Sequence, residues 1–79
     1  MNVKIIGANC RNGIQLCKVI TRVAEEHDNI IKIEKLDDQK SMGKYGVKNI
    51  PGLVVNDNLV SEGKVLSQRE FEKIIDHME

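Results

Sequence analysis

Tryptophan is missing from this 79-residue chain, and phenylalanine and tyrosine occur once each. So few aromatic faces leave no platform on which nucleotide bases could stack. An excess of charge of either sign is missing too: twelve basic residues balance twelve acidic ones, so no net field draws the chain to nucleic acid or to an anionic membrane. The apolar runs are only a few residues long, far short of the roughly 20 needed to cross a bilayer, and the N-terminus carries no signal-peptide core. A soluble, cytoplasmic protein is expected. Cysteine is scarce, with two residues, and without an export signal both are expected to be reduced thiols rather than a structural staple. One proline, six glycines and 41% hydrophobic residues argue against disorder. A chain of this length fits one domain over 1–79 and hides only about 60% of its unfolded surface, so its core must be built from regular, well-filled elements.

Val3 to Ile6 is a β-rich run, apolar on both faces and ended by Gly7, which suits a strand buried between helices. From Arg11 to about His27, Leu16, Val19, Ile20 and Val23 recur at helical spacing while Lys18, Arg22, Glu25 and Glu26 turn away, predicting an amphipathic helix of about four turns. Ile30 to Leu36 reads as a strand on its isoleucine content. Asp37 or Asp38 is placed to cap a short helix reaching Gly43 or Tyr45, with Gly46 as its stop. Leu53–Val55 and Leu59–Ser61 flank Asn56, Asp57 and Asn58, residues that tolerate positive φ, and so form a hairpin. Ser67 and Glu70 spell a capping box ahead of Phe71, Ile74, Ile75 and Met78, one apolar face of a last helix. The predicted order is β-α-β-α-β-β-α, an α/β fold whose first strand-helix-strand unit is a parallel crossover.

Cys10 follows the first strand by three residues and precedes the longest helix. Unpaired N–H groups and the positive end of the helix dipole favour a thiolate there, and Arg11 adds positive charge. Since the thiolate is the attacking species in thiol–disulfide exchange, Cys10 is the candidate nucleophile. A cysteine in a turn can equally be a space-filling residue, and position by itself does not separate the two.

Gly7-Ala8-Asn9-Cys10, the apolar helix after it, Ile50-Pro51 before a strand, the Val54-Val55-Asn56-Asp57 hairpin and the later Gly63 together resemble the small thioredoxin-like proteins of the glutaredoxin-like, redox-active-disulfide type found in archaea and bacteria. The resemblance spans nearly the whole chain. It implies a thioredoxin-like fold with a four-stranded mixed sheet and helices on both faces. It also implies a Cys-x-x-Cys pair opening the first helix, a cis-proline facing it, and a glycine that leaves room for a partner's backbone. Carried over, Cys10 matches the attacking cysteine, Pro51 the cis-proline and Gly63 the open position, while the backbone of Ile50 would pair with an extended substrate and Arg11 would border the site. The departure is Gly13, which stands where the resolving cysteine belongs in Cys10-Arg11-Asn12-Gly13.

An attacking thiolate without a partner three residues on cannot release a mixed disulfide intramolecularly, which points to a monothiol oxidoreductase working through Cys10 with an external thiol. The alternative is a redox-inactive binding module that keeps the Pro51 groove. Replacing Gly13 by cysteine is expected to restore a resolving thiol. Cys17 is the candidate substitute in the natural chain, but a helix separates it from Cys10 by about 10 Å of rise, beyond the roughly 7 Å a disulfide tolerates, and its place beside Leu16 and Ile20 reads as packing. Only an unwinding of the first turn at Gly13 would let Cys17 resolve Cys10. Partners are then the thiol or disulfide of a protein or of a small molecule such as glutathione, with no cofactor and a monomer or weak dimer expected. His27 and His77 lack ligand-spaced partners, so no metal is expected. Gly43-x-x-Gly46 is too short for a phosphate fingerprint. Met42, Tyr45 and Phe71 read as core, and Lys40, Lys44 and Lys48 as a solvated face that could border Pro51 and attract an anion.

Overall fold

Alternation along the two central strands sorts the core onto both faces of one sheet. The computed structural model describes residues 1–27 and 31–77. In chain order these form β1 (Asn2–Ile6), α1 (Arg11–Glu26), β2 (Lys32–Leu36), α2 (Gln39–Tyr45), β3 (Gly52–Val55), β4 (Asn58–Glu62) and α3 (Gln68–His77). The order is the expected one. Strands line up as β2-β1-β3-β4, with β1 parallel to β2 and antiparallel to β3, and β3 antiparallel to β4. Expectations for Ile30 and Met78 lie outside the described residues.

Val3, Ile5, Leu53 and Val55 point to one side, where they meet Leu16, Ile20 and Val23 of α1 and Phe71 and Ile75 of α3. Ile6 and Val54 point to the other, where Val47 and the half-buried Met42, Tyr45 and Leu59 close a smaller cluster under α2. Two helices thus cover one face and one helix the other, the α/β mixed sheet of a thioredoxin-like fold. Burial of each of the large residues in the first cluster contributes about 1.5–3 kcal/mol, so this side anchors the molecule. α2 buries none of its own residues fully. A polar clamp assists it: Lys4 Nζ donates to Tyr45 Oη at 2.6 Å and lies 3.4 Å from Asp57.

Local chemistry explains where elements start and stop. Asp38 caps α2 by accepting from the Ser41 N–H, and Gly46 ends it in the left-handed region. At α3, Ser67 Oγ accepts from the Glu70 N–H at 3.2 Å while the Glu70 carboxylate accepts from the Ser67 N–H at 3.1 Å, the reciprocal pair expected of Ser-x-x-Glu. Asn56 and Asp57 take φ of 49° and 67°, making a two-residue hairpin turn. Asn58 joins β4 rather than the turn. None of the described helices is long and apolar enough to cross a membrane.

Candidate active site

Because β1 and β3 run antiparallel with Ile6 opposite Gly52, the loop that leaves β1 and the loop that enters β3 emerge at the same end of the sheet. The first loop is tied to the end of β2: Gly7 and Ala8 N–H groups both donate to the Leu36 carbonyl, and Asn9 Nδ2 donates to Asp37 at 2.9 Å. Gly7 has φ of 78°, and a Cβ built on it would lie 2.6 Å from Ile50 Cβ. Only glycine allows both the backbone conformation and this approach. Ile50 therefore rests on the turn that carries Cys10.

Cys10 is the N-cap of α1. Its Sγ accepts from the Gly13 N–H at 3.1 Å and its carbonyl from the Ile14 N–H at 2.9 Å. No acidic residue occupies the first turn, Arg11 is exposed there, and Cys10 itself is half-buried. Sulfur thus stands where a helix usually places Ser, Thr, Asp or Asn, receiving an N–H that an anion accepts more strongly than a neutral group does.

Gly13 is buried, and a Cβ there would overlap the Gly7 carbonyl and lie 2.9 Å from backbone atoms of Ala8. Backbone, unlike a flexible side chain, cannot swing aside. The expectation that cysteine at this position simply restores a resolving thiol therefore needs correction: α1 sits so close to the Gly7–Ala8 loop that any side chain at 13 must displace one of them. The Gly13 N–H itself is the donor to Cys10 Sγ, a local contact set by the extended backbone of the cap residue.

Across the site the Ile50–Pro51 bond is cis. Pro51 is buried, whereas Ile50 is 42% exposed, and the backbone N–H and C=O of Ile50 make no hydrogen bond among the described residues. The Pro51 carbonyl accepts from the Gly63 N–H at 2.9 Å, and the exposed Gly63 lies against Asn49. Cys10, Ile50, Pro51 and Gly63 thus gather at one end of the sheet, with Arg11 on the same end of α1.

Cys17 is not brought to this end. It lies in the second turn of an unbroken α1, 7% exposed, and both cysteines are free thiols. Burial pushes its thiol pKa up, against the opposing pull of the Lys35 charge. Seven helical residues separate it from Cys10 by about 10 Å of rise, so no bridge forms while α1 is intact. His27 ends α1 and His77 ends α3, both remote from Pro51 in the chain's layout. Lys44 lies over the Tyr45 ring, whose hydroxyl meets Asp57 at the hairpin turn, the end of the sheet opposite Pro51. What sequence reasoning missed is the packing role of Gly7 and Gly13. Their spacing around Cys10 was visible, but the close approach that requires them belongs to the tertiary fold.

A parallel β-α-β unit whose helix is capped by a cysteine, with a cis-proline loop at the start of an antiparallel strand beside it, defines a thioredoxin-fold redox protein. The chain belongs to the thioredoxin domain family, whose model matches residues 1–76. A thioredoxin of Methanothermobacter thermautotrophicus (strain Delta H) is 29% identical over 75 residues, covering 95% of this chain and 97% of that protein. Thioredoxin-like proteins act on protein thiols or disulfides.

Proposed function

We propose that this chain performs thiol–disulfide exchange through Cys10 as its sole reacting sulfur, with the mixed disulfide resolved by an external thiol. The observation that carries this reading is the N-cap position of Cys10 Sγ, accepting from the Gly13 N–H beside the cis Ile50–Pro51 loop. A thiolate attacks one sulfur of a target disulfide, a Cys10–target bond forms, and the other target sulfur leaves as a thiolate. Ile50 offers an extended target segment a backbone N–H and C=O that no described residue pairs, and Gly63 leaves the neighbouring surface free of a side chain. Arg11 adds a positive charge at the rim, favouring the charged states of the exchange.

The monothiol character rests on Gly13, which lacks a thiol and has no room for one. That favours an external resolving thiol over a reopened first turn, since unwinding would give up the Gly13 contact that positions the nucleophile. The competing reading, a binding module without turnover, keeps the Ile50–Pro51 surface and assigns Cys10 only a capping role.

Competitive alkylation with a limiting reagent at neutral pH separates the two. Exchange chemistry requires Cys10 to react at least about tenfold faster than the buried Cys17. Mixed-disulfide formation should vanish in Cys10→Ser and persist in Cys17→Ser. Equal, slow labelling of the two sulfurs, or exchange that survives Cys10→Ser, would refute the assignment.

A further inference from the structure

One helical turn beyond Cys10, Ile14 stands at the mouth of a groove of about 500 Å³ that runs along α1 against Lys35 of β2. Cys17 lines it. Lys18, Arg22 and Lys35 face it as cations, with Glu25 as the single anion, an excess of two positive charges in a chain whose total is zero. None of these three cations has an ion-pair partner among the described residues. Lys18 and Arg22 lie outside the last turn of α1, where a cation would complement the helix dipole. Ile14, at 47% exposure, is the most exposed large apolar residue among those described, and it lies between Cys10 and the cations.

Reach is compatible with a single small molecule. Lys18 follows Cys10 by eight residues, about 12 Å of helical rise, and side chains on a helix lean back toward its N-terminus, which shortens the span. A ligand with its sulfur at Cys10, a stem over Ile14 and carboxylates about 10 Å away fits both ends. Since no side chain fits at position 13, no internal thiol within one turn can do the same job.

We infer that the groove lined by Ile14, Lys18, Arg22 and Lys35 docks a small thiol bearing two or more carboxylates, which stands in for the missing resolving cysteine. This rests on the reading of Cys10 as the exchanging sulfur. The docked thiolate attacks Cys10 Sγ of the mixed disulfide; that S–S bond breaks and the target leaves as a thiolate. A second small thiolate then attacks the small-molecule sulfur, freeing Cys10 as a thiolate and releasing the small-molecule disulfide. Two electrons pass from two small thiols to the target, and the protons they give up go to the two target sulfurs.

The test begins with Cys10 carried as a neutral, coloured 2-thiopyridyl mixed disulfide in the Cys17→Ser protein. Release is followed with glutathione and with uncharged 2-mercaptoethanol at equal thiolate concentration. Glutathione should be at least about fivefold faster at low salt, and the advantage should shrink in about 0.5 M salt. Lys18→Glu with Lys35→Glu should remove or invert it while leaving the 2-mercaptoethanol rate within about twofold. In parallel, S-methylglutathione, which keeps the charges and lacks the thiol, should shift amide resonances of Cys17, Lys18, Arg22 and Lys35 saturably in the unmodified protein. Equal rates for the two thiols, a preference untouched by the double variant, or shifts confined to the Ile50–Gly63 side would overturn the groove. Failure of Cys10 to form the adduct at all overturns the exchange reading instead, and the S-methylglutathione titration then decides whether the groove binds the anion.

Discussion

The first turns of α1 and α3 solve one problem in opposite ways. Each helix begins with backbone N–H groups that lack intrahelical partners. At α3 a serine and a glutamate satisfy them reciprocally, and the acid complements the positive end of the dipole. At α1 a cysteine sulfur accepts the Gly13 N–H, the first turn holds no acid, the Asp37 carboxylate is taken up by Asn9 just ahead of it, and Arg11 adds positive charge. α3 is arranged for stability. α1 leaves its positive end without a carboxylate in the first turn. The difference teaches that one helix end is closed by a local serine–glutamate pair while the other is closed by a sulfur, and under the proposed function that sulfur is the reacting group.

Gly13→Ala should break the comparison most sharply. In an ordinary helix interior, alanine in place of glycine stabilises by about 1 kcal/mol. Here the added Cβ overlaps the Gly7 carbonyl, and overpacking of this kind costs about 1–3 kcal/mol. The sign should therefore invert, with urea unfolding reporting net loss and Cys10 alkylation slowing as the Gly13 N–H moves off the sulfur. A stabilised variant with unchanged Cys10 reactivity would show that the close approach is not real. Cys10→Asp should act the other way: aspartate is a better cap, so Tm holds or rises by the few degrees that a fraction of a kcal/mol produces, while mixed-disulfide formation disappears. A large loss of Tm in that variant would mean that the sulfur is needed structurally.

Much of this contrast could be read before any coordinates. The Ser67/Glu70 box, the Asn56–Asp57 turn and the Cys10 position ahead of α1 are local signals, set by residues within one turn of each other, and each appears where expected. Edge strand β2 was harder, because Lys32, Glu34 and Lys35 alternate poorly around Ile33 and only pairing to β1 on one side holds them extended. The Lys4–Tyr45–Asp57 clamp joins residues far apart in sequence and left no local trace. Gly13 was read as the loss of a thiol, whereas the fold requires the absence of any side chain. The cationic groove was likewise invisible, since Lys35 meets Lys18 and Arg22 only after β2 is laid beside α1.

Removing the cap of α3 supplies the next contrast. Ser67→Ala should cost about 1 kcal/mol of stability, read by thermal unfolding, and leave Cys10 alkylation unchanged. If Cys10 slowed as well, the two helix ends would be coupled through the α1–α3 interface rather than independent.

Acid should sharpen the comparison with the smallest effect. Hydrogen bonds from Ser41 hold the Asp38 carboxyl below its ordinary value of 3.8, and those from Ser67 hold Glu70 below 4.5. Both groups are depressed on folding, so each contributes stability that is present above the ordinary value and is lost as pH falls through the lowered one. Cys10 caps α1 with a sulfur and no carboxylate. Between about pH 4.5 and 3, hydrogen-exchange protection at Ser41 and Ser67 should decline while that of the Gly13 amide holds, because the groups that protonate serve the first two sites and not the third. A uniform decline across the three amides would mean that acid unfolds the chain globally before the caps release, and that the ends of α1 and α3 differ in chemistry but not in independent stability.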